Sequence, residues 1–266
     1  ELRWNTDAQH QMQVEIDKLE SREVWDLSKA RPWHEVSADA KRRGEKAHLG
    51  NVFGICVEKG SELLKRHPDR KFKGRYVYQG NQVIDEYHEA ALFNELGSSP
   101  ATLEGSKAVD AYGRLPGHTI EQAAAFAAYT QALMGTSTPG KGSGAHTDNY
   151  QVKTTTWVRL PNEARPKLPD GTDKWWAEGI RDPVVPMQKA LYGHPDAGGY
   201  WEKHCEAHLR KCGFTPVPNW PSIFWNEGLT CLLMVHADDF KMSGPQNGLK
   251  TAWGLIKQGI ETDLSK

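Results

Sequence analysis

A chain of 266 residues can bury a sizeable core, as one large domain or as two packed subdomains. Hydrophobic residues make up 38% and charged residues 25%, and 33 basic against 34 acidic side chains leave a net charge of -1, so any hold on nucleic acid must come from local patches rather than bulk charge. No apolar run approaches the ~20 residues of a membrane-crossing helix, and the cysteines, at 56, 205, 212 and 231, are too sparse and irregular for a disulfide framework, which points to a reduced, intracellular protein.

Thr6 with Gln9 three residues on forms a capping box, and Met12, Ile16 and Leu19 follow at helical spacing, predicting an amphipathic helix to about Glu20. After Val24-Trp25-Asp26-Leu27 and a polar segment, the run from His48 to Gly60 reads as a strand closed by a Lys-Gly turn. A second strand, Lys71 to Gly80, places Lys71, Lys73 and Arg75 on one face by its period of two. That face is either solvated or a phosphate-binding surface. Ser99 to Tyr112 reads as a helix rich in small residues, ended by Gly113 and Pro116-Gly117.

Residues 135–150 are rich in Gly, Ser, Thr and Pro and read as a loop. Gly135 to Gly142 approaches a nucleotide-binding Gly-Lys loop, but Gly142 stands where the metal-binding Ser or Thr belongs, and no buried strand precedes it. Thr156 to Pro161 reads as a strand. The helix after Asp196 puts Trp201, Cys205, His208 and Cys212 on one face. Two Cys and a His invite a zinc site, yet a fourth ligand is missing, and core packing is the preferred reading.

Ser222 to Trp225, an Asn226-Glu227-Gly228 turn and an apolar strand from Leu229 to Val235 then lead into Asp238-Asp239, after which apolar character resumes. The pair sits at the tip of a hairpin. Two adjacent ionised carboxylates with no cation nearer in sequence than Lys241 repel each other, so the tip is either a solvated turn or a metal site. Gly248 to Ile260 reads as a helix with Leu249, Ala252, Leu255 and Ile256 on one face.

Five of these stretches, in order from about residue 4 to 260, resemble the reverse transcriptase domain of copia-type LTR retrotransposons. Trp4, Ala8, Met12, Glu15 and Leu19 with Val-Trp-Asp-Leu look like its opening. Phe72-Lys73-Gly74-Arg75-Tyr76-Val77-Tyr78-Gln79-Gly80 is similar to its Tyr-Lys-Ala-Arg-Leu-Val-Ala-Lys-Gly strand. Lys189, Leu191, Tyr192, Gly193 and Trp201 match its Leu-x-Lys-x-Leu-Tyr-Gly-Leu-Lys-Gln-x-Pro-x-x-Trp block in register, with Asp196 where an amide belongs. His236-Ala237-Asp238-Asp239 resembles its Tyr-x-Asp-Asp box.

The resemblance implies an α+β fold: a fingers-and-palm polymerase core with an antiparallel palm sheet backed by helices. Residues 1–98 would be the N-terminal helix and fingers, 99–245 the palm with 137–155 as a loop insertion, and 246–266 the start of a thumb or connection. It implies an RNA-directed DNA polymerase acting on a template-primer and dNTPs through Mg2+ or Mn2+, with Asp238 and Asp239 as catalytic metal ligands. Lys73 and Arg75 would hold the triphosphate and Tyr129 would screen the nucleotide sugar. Counting back from Tyr129 puts Ala124 where the first catalytic Asp should stand. Alanine cannot bind metal, so the resemblance implies impaired two-metal chemistry. A catalytically dead element remnant that at most binds nucleic acid is the alternative, and an unrelated hydrolase using the acidic pair is a third. The family also implies other polyprotein domains (RNase H, integrase) as partners, and a cytoplasmic particle or the nucleus as location.

Overall fold

The computed structural model describes residues 5–93, 100–134 and 154–265. The chain divides into two compact units, one of Glu1–Asn94 with Leu133–Ala197 and one of Glu95–Ala132 with Gly198–Lys266. Two sheets and six helices are present among the described residues, a mixed α+β architecture.

In the first unit, helix α1 (Thr6–Ser21) is followed by strand β1 (Arg31–Pro32), helix α2 (Trp33–Arg43), and the long strands β2 (Lys46–Lys59) and β3 (Lys71–Tyr78). The cap of α1 is Asn5 rather than Thr6: its Oδ1 accepts from the amides of Asp7 and Ala8. Asn caps at least as well as Thr, so the capping box loses to the residue before it. The second segment of this unit carries β5 (Thr154–Arg159), the short α4 (Lys174–Ala177) and β6 (Pro183–Pro186). Its sheet runs β1-β6-β5-β2-β3, with β5 parallel to β2 and the other pairs antiparallel. Residues 133–197 thus complete a sheet that β2 and β3 begin, and the contacts divide the chain differently from the regions ending at 98 and 245 that the resemblance implies. Apart from residues 154 and 155, which open β5, the expected insertion 137–155 lies outside the described residues, as does the Gly-Lys loop.

Helix α1 lies against the β2–β3 ribbon because two glycines let it approach. A Cβ on Gly74 would stand 2.7 Å from the Gln11 carbonyl oxygen, and one on Gly54 would meet Met12. Elsewhere in this sheet, Trp33, Val36 and Ala40 of α2 pack with Ala47 and Leu49 of β2 and Val184 of β6 in a small core of their own.

The second unit contains α3 (Leu103–Tyr112), β4 (His118–Ala125), α5 (Ala197–Lys211), β7 (Thr215–Pro216), β8 (Ile223–Asn226), β9 (Cys231–His236), β10 (Asp239–Pro245), α6 (Gln246–Ile256) and β11 (Thr262–Ser265). All pairs in its sheet, ordered β11-β4-β10-β9-β8-β7, are antiparallel. Helices cover both faces. Trp201, Cys205 and Leu209 of α5 and Leu249, Ala252, Trp253 and Ile256 of α6 share one core with Ala123, Ala125, Leu233, Val235, Phe240 and Met242, while Val109 of α3 packs with Ile223 and Met234 on the other. The alternation of Leu233 and Val235 against Met234 is what a strand buried on both sides requires.

Helix α6 ends at Ile256, four residues short of the expected Ile260, and the polar stretch Thr262–Ser265 forms an unexpected edge strand. The stop is built by His208, whose Nε2 donates to the carbonyls of Leu255 (3.2 Å) and Ile256 (2.9 Å). A Cβ at Gly259 would fall 2.3 Å from the same imidazole. His208 therefore caps a helix, and Cys205 and Cys212 are core residues.

Candidate functional site

The acidic hairpin is closed by a two-residue loop. His236 pairs with Asp239, leaving Ala237 and Asp238 between the strands. Ala237 takes φ 54, and Asp238 has no positive φ, the sign pattern of a type II′ turn. Glycine usually fills that first position, so alanine there carries a cost of ~1–2 kcal/mol that its surroundings must offset. Two hydrogen bonds tie the loop down: the Trp201 indole Nε1 donates to the Ala237 carbonyl at 2.7 Å, and the Ala125 amide donates to the Asp238 carbonyl at 2.6 Å.

His236, Ala237, Asp238 and Asp239 are all exposed. Lys241, the nearest cation in sequence, is engaged elsewhere: its ammonium bonds both Asp110 carboxylate oxygens at 2.9 and 3.0 Å and the Ser106 hydroxyl at 3.1 Å. Among the described residues neither Asp238 nor Asp239 has an ion-pair partner.

Strand β4 lies directly beside the tip, with Ala124 paired to Asp239 and Ala123 to Phe240. On its other side β11 pairs Asp263 with Ala124. Partners opposite one another in an antiparallel ladder share a face, so Asp239, Ala124 and Asp263 form a row across three strands. Asp263 escaped the sequence reading because a four-residue polar strand has too little alternation to be seen. Among the described residues no three His, Cys, Asp or Glu side chains gather closely enough to hold a metal ion. Two carboxylates with water can hold one divalent cation, whereas a two-ion centre needs acids from neighbouring strands converging on both ions. Among the described residues the donor set does not meet the second requirement.

Tyr129 follows β4 in a short 3-10 turn, Ala128–Gln131, entered through Ala127 at φ 50. It packs against the core shared by α5 and α6 and lines an apolar cleft with Trp201, Phe224, Val235 and Ala237. Burial, and then the charge of Asp238, push its phenol above the ordinary tyrosine range. The second unit thus holds Asp238, Asp239, Tyr129 and Ala124, with Tyr129 on the α5–α6 side of the sheet and the Asp239–Ala124 pair on the side of Lys241 and α3.

Lys73 and Arg75 belong to the first unit, on β3. The register pairs Val57 with Lys73, Ile55 with Arg75, Phe53 with Val77 and Lys59 with Lys71. None of these eight is acidic. Phe53, Ile55 and Val57 are 40–42% exposed, so the face away from α1 combines an apolar row with a cationic one. Partial burial, then the charges of Arg75 and Lys59, lower the pKa of the Lys73 ammonium. Sequence reading found the cations from their alternation and missed the apolar half, because strand-pair register is not visible in one strand.

Asp196, in the block most similar to the family, is buried, and its amide donates to Nδ1 of His194 at 3.1 Å. His194 packs beside Tyr78 and Phe93.

Fold and site together define an α+β protein whose all-antiparallel sheet presents an exposed acidic pair on a hairpin tip. No protein-family model matches the sequence, and no curated protein matches it. Among solved structures the chain is similar to telomerase from Candida albicans, determined in complex with a TWJ fragment of telomeric RNA, at 8% identity and a TM-score of 0.36 over 88% of this chain. It spans 45% of that chain's length. A likeness of that size carries no argument about function.

Proposed function

We propose that this chain is a reverse-transcriptase-like nucleotidyltransferase module of the copia-type retrotransposon kind, impaired in catalysis because Ala124 stands in place of the first metal-binding carboxylate. The observation that carries this reading is the pairing of Asp239 with Ala124 between β10 and β4. Two segments 115 residues apart in sequence, selected from the resemblance alone, are neighbours in one sheet, and that adjacency supports the reading.

In this reading residues 1–98 act as fingers, 99–245 as palm and 246–266 as the start of a thumb. Asp238 and Asp239 would hold one Mg2+ or Mn2+. That cation, when bound, neutralises phosphate charge. Lys73 and Arg75 take phosphates, and the apolar row Phe53, Ile55 and Val57 offers contact to bases, the combination by which proteins hold single strands. Tyr129 screens the nucleotide sugar. The partners are a template-primer, dNTPs and further polyprotein domains such as RNase H and integrase, in a cytoplasmic particle or the nucleus. No helix among the described residues is long and apolar enough to cross a membrane.

Ala124 also favours a second reading, a catalytically dead remnant that retains nucleic-acid binding. Primer extension on poly-A with oligo-dT, in Mg2+ and in Mn2+, separates the two. Synthesis that disappears in Asp238→Ala supports the enzyme; binding of the template-primer without synthesis supports the remnant; neither binding nor synthesis removes both.

A further inference from the structure

We propose that Trp201 is a positioning residue for the acidic pair, its indole fixing the turn from which Asp238 and Asp239 present their carboxylates. The proposal rests on the metal-binding reading of that pair. Trp201 touches the hairpin on both sides of the acids. Its Nε1 donates to the carbonyl of Ala237, the residue before them, at 2.7 Å. Its ring meets Phe240, the residue after them, edge to face at a centroid distance of 6.5 Å and 80°.

The indole itself has little freedom. It is 3% exposed, sits within the α5–α6 core, and stacks on His204 one helical turn along at 5.9 Å and 28°. A rigid donor is what an alanine held at φ 54 requires, because that backbone conformation persists only where neighbours over-determine it. The next carbonyl of the turn, that of Asp238, accepts from the Ala125 amide. The exchange rate of that amide therefore reports where the tip sits.

The test replaces Trp201 with β-(3-benzothienyl)alanine, which keeps both rings and exchanges the N–H for sulfur, and with 5-fluorotryptophan, which keeps the N–H. Hydrogen exchange at Ala125 and Mn2+ binding, read from the free-ion paramagnetic signal, are measured on the full chain. Loss of one neutral hydrogen bond is expected to speed Ala125 exchange and weaken Mn2+ binding by about 2- to 10-fold, with the fluorinated residue behaving as the parent. Unchanged exchange in the sulfur variant overturns the proposal. If the parent chain binds no Mn2+, the metal reading falls, and Ala125 exchange alone decides whether the indole positions the turn.

Discussion

At the scale of single residues, two side chains carry testable chemistry. Ala237 is the only alanine between the two hairpin strands, and its positive φ is tolerable for a methyl but not for a β-branched side chain. Ala237→Val is expected to lower stability by ~1–2 kcal/mol in urea denaturation, whereas Ala237→Gly stays within about 0.5 kcal/mol because relief of strain offsets the added freedom of the unfolded chain. Equal effects from the two substitutions would show that backbone conformation is not what the position selects.

His194 is held neutral. Burial first, and then the neighbouring His48, push its pKa down to about 4, from an ordinary 6.5. Its Nδ1 accepts from the Asp196 amide, so a proton there would break a bond as well as bury a charge. Between about pH 6.5 and 4 the unfolded chain takes up a proton that the fold refuses. Stability from this group is therefore complete above about 6.5 and falls as the pH drops toward 4, by about 3 kcal/mol across the window. Denaturation midpoints followed from pH 7 to 4 should show this slope, reduced in His194→Gln; an unaltered slope in that variant would assign the effect to other groups.

At the scale of elements, the β2–β3 ribbon and its neighbour Tyr192-Gly193 are set by close backbone approach. The Tyr78 amide donates to the Tyr192 carbonyl at 2.7 Å, and a Cβ on Gly193, whose φ is 87, would stand 2.1 Å from the Tyr78 carbonyl oxygen. Gly193→Ala is expected to cost about 3 kcal/mol, strain and collision together, seen as a lower thermal midpoint. The exposed face of the same ribbon gives a second expectation. If its cations meet phosphates and its apolar row meets bases, Lys73→Ala should reduce the salt slope of single-strand binding by about 0.7. Phe53→Ala should instead weaken binding by ~1–3 kcal/mol with the slope intact. Binding that is indifferent to both would make the face a solvated one.

Elements also show where sequence patterns are strong. The alternation of Lys71, Lys73 and Arg75, the helical spacing of Leu249, Ala252 and Ile256, and the apolar approach to Asp238 all have periods long enough to read, and each became the element expected. The end of α6 did not, because His208, 48 residues from Ile256, supplies the stop.

At the scale of the whole chain, the row Asp239–Ala124–Asp263 sets what the proposed polymerase reading expects of Ala124→Asp. Ala124→Asp would place a third carboxylate between two others, raising its pKa without metal by like-charge repulsion and lowering it when a divalent cation binds. On that reading, extension from a primer is expected to rise by about 10²-fold or more in Mg2+, the order of effect that one properly placed electrostatic group has on catalysis. A folded Ala124→Asp chain that binds Mn2+ more tightly yet extends no primer would favour the remnant.

The sequence by itself determined part of the local vocabulary: helices α1, α3, α5 and α6, strands β2, β3, β5, β8, β9 and β10, the cations on one face of β3, and the two acids that crown a hairpin. Those properties follow from side-chain period and turn chemistry within a few residues, where the chain needs no distant partner. Tertiary structure alone decided that Ala124 stands between Asp239 and Asp263, that Phe53, Ile55 and Val57 share a face with Lys73 and Arg75, and that an indole from α5 grips the acidic turn. Strand register and helix docking are set by which buried surfaces fit together, and that choice is made jointly by residues that no short sequence window contains.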